Sequence, residues 1–425
     1  MMEVKTMRKI FNTGLAVFLL LTTAVGCSSS SQNLEEEEEF QNITLKITSD
    51  YGGTLEERIQ EFQKLHQSEV NITYIITDKE EEVNKDGILL DPAHAADIFT
   101  FYNDQFDDFY TANVLKEIDE DAETILNEAG AKTSSAVSDV CTVDGKLYAY
   151  PLTTGNGYFL YYDKKYFSEE DIQSLDRIME VCAKNNAKFS MDFSSGWYLF
   201  SFFQGAGLNL HYNSSKTANI CEWGSIDAEH TGVSVAQSLL DIAGNDGFVN
   251  LPNGEFVAQA KEGNVIAAVS GPWHSAELTE VWGDDLGASK LPTYTVDGEQ
   301  VQMAAFTGYK LIGVNAKSEN AKWAMRLARY LTSEKAQLAR FEESGECPAN
   351  MKAALSDEVA TSVVDHAIAE QAPFAYIQNV ADPFWDASSD FGNTIAAGNP
   401  DGTDLQALLD KMVAGITKPV NIVAN

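Results

Sequence analysis

The chain reads as an α/β protein built from two domains, and three observations predict it. Strand, helix and strand follow one another near the start at the spacing of a βαβ unit, which implies a parallel sheet with a right-handed crossover. Val265–Val269 is an unbroken apolar run of strand length, the pattern of a parallel strand covered on both faces. At 425 residues the chain also exceeds a single core, since cores stop growing at roughly 250–300 residues.

Taken in order, the N-terminus is a targeting segment. Arg8 and Lys9 precede the apolar stretch Leu15–Leu21, and small residues end in Ala24-Val25-Gly26-Cys27. The apolar stretch is too short to span a bilayer comfortably, so residues 1–26 read as an export signal. The four residues ending at Cys27 resemble the lipobox of bacterial lipoproteins, although Leu is more usual than Ala at its first place. That resemblance implies cleavage before Cys27, acylation of its thiol and a lipid anchor on the outer face of the cell membrane. An ordinary secreted protein with a free Cys27 is the alternative. Ser28–Ser31 and Glu35–Glu39 follow, so residues 27–41 form a polar, self-repelling tether that has nothing to bury.

The βαβ unit comes next. Leu45 and Ile47 alternate in a strand over Thr44–Thr48, and Thr54 with Glu57 predicts a capping box opening a helix with Leu55, Ile59 and Phe62 inward. Val70, Ile72, Tyr74 and Ile76 alternate as the second strand, and Ala95–Phe101 makes a third. Asp144-Gly145 signals a hairpin turn. Pro151 and the small residues through Gly157 separate two strands, the second being Tyr158–Tyr162, and form a candidate hinge as readily as a plain loop. Ser168 and Asp171 predict a capped helix with Ile172, Leu175, Met179 and Cys182 inward. An aromatic helix opens at Ser194 and runs through Phe203. Further helices follow at Val233–Ile242, Phe256–Ala260, Ser318–Leu331, Ser333–Phe341 and Thr403–Ile416, with a strand at Gly308–Val314 and a helix start at Pro383.

Composition narrows the function. A formal net charge of −35 speaks against nucleic acid and against electrostatic attachment to anionic lipid, and it suits a neutral or cationic ligand. Cys141, Cys182, Cys221 and Cys347 show no metal-type spacing, and any disulfide among them is left open. The six histidines include no i, i+4 pair. No Ser/His/Asp elbow, HExxH, P-loop or Rossmann glycine pattern occurs, so neither a cofactor nor a metal is expected.

The candidate ligand-contacting residues gather at strand ends, where open α/β sheets bind ligands. Asp50 with Tyr51 follows the first strand, and Asp104 follows Phe101, Tyr102 and Asn103 at the end of the third. An ionised Asp only accepts hydrogen bonds and suits capture of hydroxyls, although a lone loop Asp more often caps a turn. Pro272 stops ladder pairing and leaves Trp273 just beyond the strand, where it is either a core lid or a platform for a ligand. Ser275 is placed to cap the short helix that follows, with Leu278, Val281 and Trp282 on one face. Trp197 and Tyr198 sit on the first turn of the aromatic helix.

The order of these pieces is similar to that of the extracellular solute-binding proteins of ABC sugar importers, the maltose-binding-protein family. The match is carried by Ala96–Phe106, Tyr150-Pro151, Leu160–Lys164, Gly271-Pro272-Trp273, Gly313-Val314-Asn315 with Lys317-Ser318, and Phe384-Trp385. It covers nearly the whole mature chain, each fragment being weak alone and specific in sequence with the others. The resemblance implies two α/β lobes, 42–153 plus 304–348 and 154–303 plus 349–425, with several hinge crossings and a ligand cleft between them. Carried over position by position, it implies that Asp50 and Asp104 hold sugar hydroxyls, that Phe101 occupies a stacking position, and that Trp273, Trp385 and Tyr198 contact the ligand from the second lobe. The charged residues that maltose binders carry are replaced here by Tyr51, Gln105 and the Gly155-Asn156 pair, leaving a more neutral, aromatic groove.

The expectation is therefore a monomeric, lipid-anchored binding component that delivers a neutral, maltodextrin-type oligosaccharide to ABC permease subunits. The expected ligand contacts are Asp50, Tyr51, Phe101, Tyr102, Asn103, Asp104, Asn156, Trp197, Tyr198, Trp273 and Trp385. Two rivals are a surface glycoside hydrolase using a carboxylate pair and a binder of the same fold that takes another sugar or a cation.

Overall fold

The computed structural model describes residues 40–49, 51–78, 85–252 and 254–420. The export signal, Cys27, the tether before Phe40 and Asp50 lie outside the described residues.

The first sheet has five strands in the order Val70–Asp78, Gln41–Ser49, Ile98–Tyr102, Lys310–Val314, Tyr150–Thr153. Its first three strands are parallel, as the βαβ pattern predicts, and the last two run antiparallel to their neighbours. Leu45, Ile47, Ile98, Phe99 and Phe101 enter one core with Leu311 and Ile312. The helix Thr54–Leu65 lays Leu55, Ile59 and Phe62 on this core. The expected capping box is absent at its start: the cap residue is Gly53, and Thr54 is already helical. The Glu343 carboxylate instead accepts the Thr54 backbone N–H at 2.9 Å, so a distant acid satisfies the helix N-terminus.

The second sheet also has five strands, in the order Phe248–Val249, Lys188–Ser190, Val265–Ser270, Phe159–Asp163, Leu286–Ser289. All six residues of Val265–Ser270 are buried, as an unbroken apolar run requires. Its pairing is mixed where an all-parallel setting is expected: parallel to Lys188–Ser190 and antiparallel to Phe159–Asp163. Apolar layers cover both faces of the sheet, one including Phe189, Phe202 and Ile266, the other Phe159, Val265 and Leu278. Ser168 and Asp171 bond to each other in a turn, while the helix that their spacing predicts begins only at Leu175, after Ser174. Ser275 is likewise the first residue of its helix rather than its cap.

Four chain segments meet between the two sheets. The Thr154 N–H donates to Cys347 O at 3.0 Å, and the Asn156 N–H donates to Gly308 O at 3.1 Å. A side chain at Gly157 would collide with Phe306 O, its Cβ lying 2.5 Å away, so glycine permits this close passage. The short strand Ala305–Thr307 pairs in parallel with Ala375–Ile377 at the same place. Cys141, Cys182, Cys221 and Cys347 are all free thiols.

Candidate functional site

Val265–Ser270 ends at Gly271, and a single turn of tight helix, Pro272–His274, carries Trp273 just past the sheet. The indole lies directly against Gly271, where a Cβ would sit 2.0 Å from the ring, so only glycine lets it fold down here. Beneath it the Ser270 hydroxyl pairs with His274 Nδ1 at 2.7 Å. Burial holds the His274 imidazole down at about 4, so the ring is neutral at physiological pH.

Trp197 comes from the neighbouring strand end, on the first turn of the helix Gly196–Gly205. Its ring stacks on Trp273 with centroids 5.6 Å apart and 29° between planes. Tyr158 supports it from the side, edge-on at 4.6 Å, and donates its hydroxyl to the Trp197 carbonyl at 2.6 Å. Both indoles remain partly exposed.

Asp104 arrives from the first sheet, one turn beyond Ile98–Tyr102. Its Oδ2 accepts a hydrogen bond from Gln378 Nε2 at 2.7 Å, and the Trp197 Nε1–H donates to Gln378 Oε1 at 2.9 Å. Asp104 Oδ1 is sealed from solvent and has no hydrogen-bond partner among the described residues. Burial pushes the carboxyl up to about 6, against the opposing effects of the Gln378 hydrogen bond and the nearby Lys85 charge. A buried acceptor oxygen left without a donor carries a desolvation cost, which is what raises this carboxyl's pKa.

Several expected contacts sit elsewhere. Tyr51 is fully buried and donates its hydroxyl toward the carbonyls of Leu331 and Ala336, because the chain after the first strand turns inward. Phe101 is still paired in the ladder, opposite Leu311, so its ring enters the core against Phe99 and Phe109. Asn103 spends both ends of its side chain on the crossing segments: Nδ2 donates to Gln378 O and Oδ1 accepts from the Tyr309 N–H. Tyr198 is 2% exposed and supports Trp197 from within, its phenol pushed well above the ordinary range by burial. In this structure all four side chains are buried among protein groups. Tyr102 is partly exposed with Lys310 Nζ 5.6 Å over its ring, and Asn156 is partly exposed in the crossing segment. Trp385 is half-buried on the first turn of Pro383–Ala396 and packs on Phe384 at 4.8 Å, apart from the stacked pair.

Two features escape sequence reading. Gln378 carries no motif, and only the fold brings its amide between Asp104 and Trp197. Lys310, Arg340 and Glu346 form a buried ion chain, with Lys310 Nζ 2.6 Å from Glu346 Oε1 and Arg340 bonded to Glu346 and to the Tyr51 carbonyl. Its cations neutralise Glu346 inside the protein. A concavity of about 480 Å³ bounded by Phe248, Val249, Asn250 and Asn393 contains none of the expected contacts. Among the described residues, no group of three His, Cys, Asp or Glu is placed to hold a metal ion. No described helix is long and apolar enough to cross a membrane.

The model of the family described as bacterial extracellular solute-binding protein matches residues 57–364, most of the chain. The chain belongs to this family. Among relatives of this solute-binding protein, the galactooligosaccharide-binding protein of Bacillus subtilis (strain 168) is 25% identical over 367 residues, covering 82% of each chain. The maltooligosaccharide ABC transporter solute-binding lipoprotein of Streptococcus pneumoniae is 21% identical and covers 81% of this chain and 82% of that one. A solved structure with acarbose is 28% identical at a TM-score of 0.74, covering 88% of this chain and 98% of the other. A ligand-free maltodextrin-binding protein from L. casei BL23, 24% identical, superposes at a TM-score of 0.71 over 88% of this chain and 99% of its own. The fold is thus the two-lobed one of the maltose-binding proteins, as the order of sequence fragments implies.

Proposed function

We propose that this chain is the substrate-binding component of an ABC importer and captures a neutral oligosaccharide of the maltodextrin type. The observation that carries the reading is the partly exposed, stacked Trp197–Trp273 pair, tied through the Gln378 amide to the Asp104 carboxyl. A sugar ring presents an apolar C–H face and a rim of hydroxyls. Indole faces bury the first, and a carboxylate oxygen accepts from the second. The relatives support the same reading, since their names specify oligosaccharides. They are binding proteins, which favours capture over hydrolysis.

In this reading the lobes are 42–153 plus 304–348 and 154–303 plus 349–425. Their hinge is the bundle of segments at 153–157, 305–310 and 346–350, tied by the backbone bonds described above. Closure around ligand forms the surface offered to the permease, and its extent is limited by the ligand's preference for the closed form. Cys27, once acylated, anchors the monomer to the outer face of the membrane through the acidic tether.

A galacto-oligosaccharide is the second reading, favoured by the 25% identical relative from B. subtilis. A thermal-shift screen of gluco-, galacto-, xylo- and fructo-oligosaccharides, with polyamines alongside, tests both. Stabilisation by maltotriose or longer glucans supports the first reading, stabilisation by galactosides alone replaces it with the second, and a response confined to polyamines overturns both. Incubation with maltodextrins should release no reducing ends; if ends appear, the protein is an enzyme.

A further inference from the structure

Gln378 is 7% exposed and sits between the two sheets, directly after the short strand Ala375–Ile377. Its main chain is fixed on both sides. The N–H donates to Thr307 O at 2.8 Å, and the carbonyl accepts from Asn103 Nδ2 at 2.8 Å. Its side chain therefore leaves a rigid base at the crossing between lobes.

The carboxamide meets one residue from each lobe. An indole N–H can only donate, so the Gln378 oxygen must face Trp197, and the amide NH₂ is thereby turned to Asp104. The reverse flip would set donor against donor and acceptor against acceptor. The amide then occupies Oδ2 of Asp104 and leaves Oδ1 as the spare acceptor. The same amide fixes the edge of the Trp197 indole, and with it the plane that stacks on Trp273.

We propose that Gln378 is a positioning residue of the oligosaccharide site, aligning the Asp104 acceptor of one lobe and the Trp197 stacking face of the other as a single unit. The proposal rests on the sugar-binding reading above. It explains why an amide stands here. Glutamate would bring a second carboxylate against Asp104, and leucine would remove the side-chain hydrogen bonds that the amide gives to Asp104 and accepts from Trp197.

The bridge also makes the Trp197 indole a reporter on Asp104. The charged groups facing Asp104 are Lys85 and Asp382, and Lys85 is itself paired with Asp108 and Asp382. Protonation of Asp104 weakens its bond to the amide and alters the one to the indole. No such route exists once the amide is gone.

The test uses the mature chain and its Gln378→Leu, Gln378→Glu and Asp104→Asn/Gln378→Glu variants, each checked for folding by circular dichroism. In the ligand-free protein the Trp197 indole ¹H–¹⁵N resonance, assigned by its loss in Trp197→Phe, should shift between about pH 5 and about pH 7.5. The shift should vanish in Gln378→Leu. In calorimetry with maltotriose, and with a galacto-oligosaccharide in parallel, each single variant at Gln378 should bind at least about tenfold more weakly. The double variant should recover most of that loss, because the amide introduced at position 104 can donate to the carboxylate introduced at position 378 while keeping its own oxygen as an acceptor. A wild type that binds neither sugar sinks the functional reading and this proposal with it. A wild type that binds while the Gln378 variants bind equally well, or an indole that titrates identically without the amide, overturns the proposal alone.

Discussion

The indoles of Trp197 and Trp273 stack on one another at 5.6 Å although they follow different strands of the second sheet, one entering a helix and the other a single tight turn. Neither is sealed inside, and each has a specific support: the Tyr158 ring at the side of Trp197, with its hydroxyl on the Trp197 carbonyl, and Gly271 against the Trp273 ring. Stacked pairs of this kind contribute about 0.5–1.5 kcal/mol beyond the area they bury.

Removing one ring should cost that stacking energy and also weaken binding. Trp273→Ala is expected to weaken oligosaccharide affinity by about tenfold or more, some 1.4 kcal/mol, in titration calorimetry. An unchanged dissociation constant would take Trp273 out of the site.

Asp104 predicts a pH dependence with a definite sign. Its folded pKa is raised to about 6 from an ordinary value of 3.8, so between these values the native state holds a proton that the unfolded chain releases. Its contribution to stability is thus fullest in acid and is lost as the pH rises through about 6. Asp104→Asn should accordingly raise the melting temperature relative to wild type at pH 8 and lose that advantage near pH 4, with a difference of no more than about 3 kcal/mol. Parallel thermal melts of the two proteins at both pH values, which cancel the background from the net charge, give the comparison.

The ion chain at Glu346 tests the packing beside the first sheet, to which Lys310 belongs. Glu346→Gln leaves Lys310 and Arg340 buried beside a neutral amide, and breaking such a buried pair costs about 3–5 kcal/mol. Urea unfolding should show the loss at every salt concentration, since the groups are hidden from counterions.

Lys85 offers the contrast. Its ammonium bonds to Asp108 at 2.8 Å and to Asp382 at 2.7 Å, but both carboxylates are well exposed. Lys85→Met should lower stability by only about 1 kcal/mol at low salt, and about 1 M NaCl should remove the difference. A loss insensitive to salt would mean that the pair is shielded more deeply than its exposure indicates.

Much of this arrangement is legible in the sequence where the signal is local. An unbroken apolar run places a strand at Val265–Val269, one residue short of the observed end at Ser270, and Pro272 stops the pairing, so Trp273 is expected beyond the sheet and is found there. Residues whose fate depends on partners far along the chain read less well. Phe101 stands near a strand end and so points to the groove in sequence, but pairing with Leu311 keeps it in the ladder and its ring in the core. Asn103 looks free in sequence and is consumed by the backbone of Tyr309 and Gln378. Thr54 has the spacing of a capping residue, yet Glu343 provides the acceptor from nearly three hundred residues away. Gln378 has no local signature, since its role exists only where Asp104 and Trp197 converge on it.

A crystal structure of the mature chain with the oligosaccharide selected by the screen tests the central claim most directly. A sugar ring lying on the Trp197 or Trp273 face, with a hydroxyl within hydrogen-bond reach of Asp104 Oδ1, is the result expected. A sugar held elsewhere, with both indoles and that oxygen untouched, would contradict it.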